Sequence, residues 1–391
     1  MVSNPQKAKQ VILVYSVFFL IGLIILNFNI DSSNIMARSE LTSQERNRIS
    51  NLNSLRQGWE LEDRVVGEVK LAGVELVAAN LENIEFETVD LSDIRVSKSK
   101  FNKVDFGAST MARAVFENVE FTGCSFVGTE AEGAQFVSCV FKDCSAMRLN
   151  LSSAKLSDCV LEKFDGKSVR FKDTSIHNSR FVTSNLDGCT FFGAKLKSVQ
   201  FVNSVVYELT FSKLKGKDVT FQGGKLEESG FDSSTFEKLS FQSIHIAEVT
   251  FEEIKLTNSQ IANCSQIDTF TFIDCELIDL HIENCNRMFQ FELYGSSLKG
   301  VTISDSQFHL WGLSDCEVDE NCRFQKLEAF QLDWSETRIN GLLMENSKID
   351  GSFDLTDAKI QGLRLNNVIY GSKFEIVDLD LEYMESDRFG R

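Results

Sequence analysis

The chain has 391 residues, with 57 acidic side chains against 40 basic ones, a formal charge of −17, and 43% hydrophobic residues. That balance excludes general attraction to DNA, RNA or an anionic membrane surface. Ten cysteines fall well below the density of a disulfide scaffold, and a single proline leaves no proline-rich linker.

Residues 1–10 form a polar N-terminal tail, and Val11 to Leu26 are apolar apart from Ser16 and Gly22. Extended to Ile30, the stretch reaches the ~20 residues that a spanning helix needs. It exceeds the ~7–15-residue apolar region of a cleaved signal peptide, and no good small-x-small site follows, so residues 11–30 are expected to be an uncleaved transmembrane anchor. Lys7 and Lys9 precede it and only Arg38 follows closely, which places the N-terminus in the cytoplasm. The expectation is a single-pass protein of a bacterial inner membrane with the rest of the chain outside the cytoplasm. Residues 31–65 read as a polar connector, in which Thr42-Ser43-Gln44-Glu45 has the form of a capping box that would start a short helix.

From Val66 an apolar residue recurs every fifth position to Ile261. Thirty-six of these 40 centres are Val, Leu, Ile, Met or Phe, and the exceptions are Ala131, Ala146, Gly166 and Gly216. A second set two residues before each centre, Val69 to Ser259, holds only small or apolar residues, Ser, Thr and Cys. Neither set carries a charge in a chain that is 25% charged, so two residues in five are kept from water. Neither helical periodicity nor strand alternation yields a period of five. A corner every five residues does, and four corners give a square coil in which residues i and i+20 lie one above the other. Phenylalanine obeys that rule: Phe101, Phe121, Phe141, Phe181, Phe201, Phe221 and Phe241 share one column, and Phe171, Phe191, Phe211, Phe231 and Phe251 another. Stacked at the ~4.8 Å strand spacing, such rings form the structural core ladder.

Phe116-Glu117-Asn118-Val119-Glu120-Phe121-Thr122-Gly123-Cys124-Ser125-Phe126 and Ala194-Lys195-Leu196-Lys197-Ser198 show a small residue, a polar one, Leu or Phe, and two more polar ones. Residues 66–261 thus resemble the pentapeptide-repeat proteins, which implies an all-β, right-handed quadrilateral β-helix. The chain departs from that family at 18 of 39 nominally small positions, which carry Val, Ile, Leu or Phe and crowd the bore. Gly166 and Gly216 follow Phe164 and Leu214, so size is expected to compensate within one repeat.

The register slips by one at Ser265-Gln266-Ile267 and again near Asn286-Arg287, so residues 262–322 read as irregular coils. From 323 to 383 the pattern loosens to apolar pairs, with Ile339, Ile349, Ile360 and Ile369 alternating with Leu342, Phe353, Leu363 and Phe374. Residues 384–391 read as a polar tail. At ~20 residues and ~4.8 Å per coil, residues 66–383 would make about 16 coils.

Nine of the ten cysteines come three residues after a centre, an inward position suited to a compact buried thiol. Cys124 and Cys144, and Cys139 and Cys159, are 20 apart and should stack. The four histidines are scattered, and no metal-ligand spacing, nucleophile elbow or phosphate loop occurs. No catalytic, metal or cofactor site is therefore expected. The leading expectation is a non-catalytic, membrane-tethered scaffold that binds an unidentified protein through charged faces. Lys195, Lys197, Lys213, Lys215 and Lys217 form a basic patch, and Glu227, Glu228, Glu252 and Glu253 offer acidic ones. Two other readings stand beside it. The resemblance implies that an acidic mimic of nucleic acid could bind a DNA topoisomerase, although the chain itself would bind no nucleic acid directly. A self-assembling structural element, a homo-oligomer, is the third.

Overall fold

A chain that turns every five residues needs one residue per repeat outside the strand region. The computed structural model describes residues 60–67, 71–371, 373–375, 380–381 and 384–386, and places that residue two positions after each centre. Ala78, Asn83, Thr88 and Asp93 follow Leu76, Leu81, Phe86 and Leu91 with φ of 54°, 54°, 52° and 57°. The left-handed conformation costs a non-glycine residue roughly 1–2 kcal/mol, least for Asn and Asp, and these corners are rich in Asn, Asp and Gly. Burial of the centre and of the residue three positions on offsets the cost: Phe101 and Val104 are 2% and 1% exposed. Strand pairing between coils is parallel throughout.

The residues fall into two compact units, one ending at Arg170 and one beginning at Phe171. In the first unit the coils keep a strict 20-residue repeat, with Phe116 paired to Phe136 and Phe121 to Phe141. Glu60–Gly67 and Asn80–Glu87 are eight residues long, and from Arg95 on two sides of each coil are three-residue strands, such as Val115–Glu117 and Glu120–Thr122. The other two close with tight turns, in which Ser109, Ala114, Ala134 and Ala154 donate their amides to the carbonyls of Phe106, Met111, Ala131 and Leu151 at 3.0, 3.0, 3.1 and 3.0 Å. The same bond is 3.3 Å at Ile94 and 3.4 Å at Val169.

Rings stack at 5.1 Å between Phe106 and Phe126, 5.1 Å between Phe116 and Phe136, and 4.8 Å between Phe121 and Phe141. Phe101 departs from the expected ladder and meets Phe121 at 63°, where Phe106 packs against both rings. Beside Ala131 a dry cavity of about 10 Å³ remains, lined by Met111, Phe126, Phe136, Leu149 and Leu151.

In the second unit the two phenylalanine columns run uninterrupted. Phe181, Phe201, Phe221 and Phe241 stack at 5.0, 4.6 and 5.3 Å with their planes within 16°. Phe171, Phe191, Phe211, Phe231 and Phe251 stack at 4.4, 4.9, 4.8 and 4.3 Å. The columns meet edge to face across the bore, at 85° between Phe191 and Phe201. Gly216 gives its space to the next coil, since a Cβ there would lie 2.3 Å from Cδ1 of Phe236. Compensation therefore acts between coils as well as within a repeat.

The register shift at Ser265-Gln266-Ile267 is accommodated by a 21-residue coil, with Ile246 paired to Ile267 and Phe251 to Phe272. Twenty-residue spacing returns between Met288 and Phe308 and gives way to 21 between Val318 and Ile339. Trp311 and Trp334 occupy the bore with no hydrogen bond to either indole nitrogen, and stand edge-on to Phe324 and Phe353. Ile369 does not point inward as its spacing suggests. It stacks on Lys348 at an outward position, 55% exposed, and Val368 fills the bore instead.

Strand pairing also reaches further than the repeat count implied. Glu60–Gly67 begins six residues before Val66, and Met384–Ser386 pairs with Leu363–Asn366 inside the segment read as a polar tail. The anchor expected over residues 11–30 and the helix expected near residue 43 lie outside the described residues. Among the described residues no helix is long and apolar enough to cross a membrane.

Candidate interaction surface

Three residues of every five face outward, and those at the same place in successive coils are neighbours. Some outward charges are matched to an opposite charge one coil away. In the first unit Arg113 grips Asp93 through two hydrogen bonds of 2.8 and 2.6 Å, Lys163 lies 3.5 Å from Asp143, and Lys100 lies 3.8 Å from Glu120. Arg113 holds the Asp93 carboxyl below its usual range. In the second unit Lys255 and Lys299 lie 2.6 and 3.2 Å from Glu276, and Lys326 lies 3.2 Å from Asp305. Lys255 first and Lys299 second hold Glu276 low. Exposed pairs of this kind each contribute roughly 0–1 kcal/mol.

Like charges nevertheless stack in several columns, Asp333 on Asp354 and Arg338 on Lys359 among them. The parallel strands Lys195–Val202 and Lys215–Gln222 put Lys195 against Lys215 and Lys197 against Lys217. Lys217 finds Glu237 at 2.8 Å, but Lys195, Lys197, Lys213 and Lys215 make no ion pair among the described residues. Lys213 instead lies 5.3 Å from the centre of the Phe192 ring, which is 41% exposed. All five lysines of the expected basic patch are thus brought together on one side of the coils.

Two sides further round, Glu208, Glu228 and Glu248 occupy the same corner of three successive coils, with φ of 50°, 47° and 53°. All three are exposed. The Glu208 amide donates to the carbonyl of Glu227 at 3.2 Å and the Glu228 amide to that of Ala247 at 2.9 Å, which fixes the stack. Glu228 accepts from the Tyr207 hydroxyl and pushes its pKa up to about 12.

The four acids read from the sequence do not form one cluster. Glu227 is engaged by Lys225 at 3.2 Å and His245 at 3.5 Å. Glu252 and Glu253 lie on another corner, where Glu253 accepts from Ser233 at 2.9 Å. Only Glu228 belongs to the open ladder. Glu208 and Glu248 were missed because adjacent acids drew attention, although a glutamate at 208, 228 and 248 shows the 20-residue spacing directly.

Residues 114–191 match the family model of a pentapeptide repeat region. The chain carries a pentapeptide-repeat region. Among solved structures, HetL from the cyanobacterium Nostoc sp. strain PCC 7120, a pentapeptide repeat protein involved in heterocyst differentiation regulation, is 10% identical over 67% of this chain and 97% of its own, with a TM-score of 0.24. QnrB1, a plasmid-mediated fluoroquinolone resistance protein, is 14% identical over 68% and 93%, with a TM-score of 0.22. The A-module of the Azotobacter vinelandii mannuronan C-5 epimerase AlgE4 is 14% identical over 81% and 91%, also at 0.22. No curated protein matches the chain in sequence.

The pentapeptide-repeat coils carry their remaining chemistry inside. All ten cysteines are free and buried, and their thiols donate to carbonyls of the bore, as Cys124 does to Phe101 at 3.3 Å and Cys139 to Phe116 at 3.4 Å. Burial pushes Cys275 up to about 11 and Cys316 up to about 12. Outside, Phe289, His309 and Phe330 stack at 4.8 and 5.1 Å, an aromatic ridge at 20- and 21-residue spacing that the sequence reading also missed. A polar groove of about 350 Å³ is lined by Asp315, Glu317, Glu336, Arg338 and Lys359. Among the described residues no set of three His, Cys, Asp or Glu is placed to hold a metal ion.

Proposed function

We propose that this chain is a non-catalytic scaffold, tethered to a bacterial inner membrane through residues 11–30, whose charged coil faces dock proteins outside the cytoplasm. The observation that carries the reading is the unpaired lysine ladder of Lys195, Lys197 and Lys215 on a chain of charge −17. Like charges directly opposite one another destabilise a sheet. Here that repulsion is left in place, as it would be where an external group supplies the countercharge. The same ladder weighs against nucleic-acid mimicry, because a duplex presents anions along both strands and no cations.

The test is capture from a membrane extract by the intact chain, repeated at rising salt. Charge reversal at Lys195, Lys197, Lys213, Lys215 and Lys217, or at Glu227, Glu228, Glu252 and Glu253, is expected to abolish capture without changing the circular dichroism. Salt should weaken it, because exposed charge pairs are screened. Capture that survives both sets of reversals and high salt sinks the reading.

A further inference from the structure

The second unit carries a lysine ladder, in which only Lys217 has an ion-pair partner, and a glutamate ladder, and both repeat once per coil. Lys195 over Lys215 and Lys197 over Lys217 repeat once per coil, as do Glu208, Glu228 and Glu248. The strand that starts at Lys195 and the strand Val205–Tyr207 are separated by two corners, and the glutamates stand at the corner after the latter, so the two ladders lie on different parts of the coil's perimeter. The two ladders therefore cannot neutralise each other within one unit. Each is flanked by an exposed apolar residue, Phe192 beside the lysines and Val205 ahead of the glutamates, at 41% and 44% exposure. Lys225, three residues before Glu228, is already held by Glu227.

We propose that the lysine ladder of one molecule docks on the glutamate ladder of a second copy of this chain. The inference rests on the scaffold reading and names the partner of these two faces. Equal pitch is its decisive feature, because countercharges that repeat once per ~4.8 Å coil on both partners fall into register along the whole contact. A partner of another fold would match one ladder at one or two points. The contact joins two different faces, so it is heterologous and each new copy presents both ladders again, giving side-by-side growth rather than a closed dimer.

Sedimentation velocity of the full chain in detergent, at low salt and over a range of concentrations, tests this. The chain is expected to self-associate, and K195E/K197E/K215E/K217E and E208K/E228K/E248K are each expected to weaken association by on the order of tenfold or more, because the docked faces then carry like charge. Mixing the two variants is expected to restore association, since the native lysines of one meet the native glutamates of the other. Circular dichroism of each variant separates loss of contact from loss of fold. If either variant associates as the parent does, or if the mixture stays monomeric, ladder-to-ladder docking is wrong. If the parent is monomeric at all concentrations while extract capture still depends on the lysines, the scaffold reading stands and self-docking falls.

Discussion

The coils before Arg170 and those after Phe171 use the same five-residue rule and solve its packing problem in different ways. In the first unit two sides are closed by tight turns whose fourth residue is often Ala, Ser or Thr, as at Ala114, Thr129, Ala134 and Ala154, and rings are shared among several short columns. In the second unit the corresponding residues are larger, as at Leu209, Leu214 and Leu239. There, as at Glu60–Gly67 and Asn80–Glu87 of the first unit, strands reach eight residues across a corner, at Lys195–Val202, Lys215–Gln222 and Thr235–Gln242, and two unbroken phenylalanine columns fill the bore. The longer strands then supply flat outer faces, and the lysine ladder stands on two of them.

The largest expected effect is in the second unit's columns. Phe201 is 1% exposed between Phe181 and Phe221, so Phe201→Asp buries a charge without a partner and should cost several kcal/mol, measured as a fall in the denaturant midpoint. Lys197→Asp, on the outer surface of the same strand, should change stability by less than ~1 kcal/mol. Equal effects would break the inside–outside assignment. A smaller effect is expected when a first-unit turn is given a second-unit residue: Ala134→Leu should cost roughly 1–3 kcal/mol through overpacking, and no cost would show that the turns do not depend on the small fourth residue.

Both units are expected to shield their thiols. A native sample should react slowly with a thiol reagent and expose all ten groups in denaturant, whereas fast labelling of the native chain would show open coils. The smallest expected effect is on pH dependence. Lys255 and Lys299 depress the folded-state pKa of Glu276 below 4.5, so the contribution of that cluster is complete above the unfolded value and is lost as pH falls through the depressed folded one. Glu276→Gln should flatten stability against pH in that acidic window, and an unchanged profile would remove the cluster from the account.

Sequence carried the coil repeat, the inward pairs and the first slip in register, because burial of two residues in five writes a period that nothing else produces. It did not carry the position of the left-handed corner residue, although Asn, Asp and Gly at that place in the repeat are its chemical trace. Phe101 shows why the ladder itself was only partly legible: column spacing says which rings are adjacent, and the third neighbour, Phe106, decides their tilt. Ile369 shows the same limit where the period loosens, since an apolar residue one place out of step with the pleat lands outside. At the surface, the lysines were found as a local run in the sequence. The glutamate ladder was hidden by its 20-residue spacing, which joins residues that are distant in the chain and adjacent in the fold.

The central claim is that inward residues hold the fold while the outer charge ladders of the second unit make the contacts. Lysine acylation footprinting of the full chain, free and engaged with its partner, addresses it most directly. The account predicts that Lys195, Lys197 and Lys215 become protected on engagement, while the exposed Lys98, Lys103 and Lys142 of the first unit label as before. Protection confined to the first unit, or labelling unchanged at all six lysines, would contradict it.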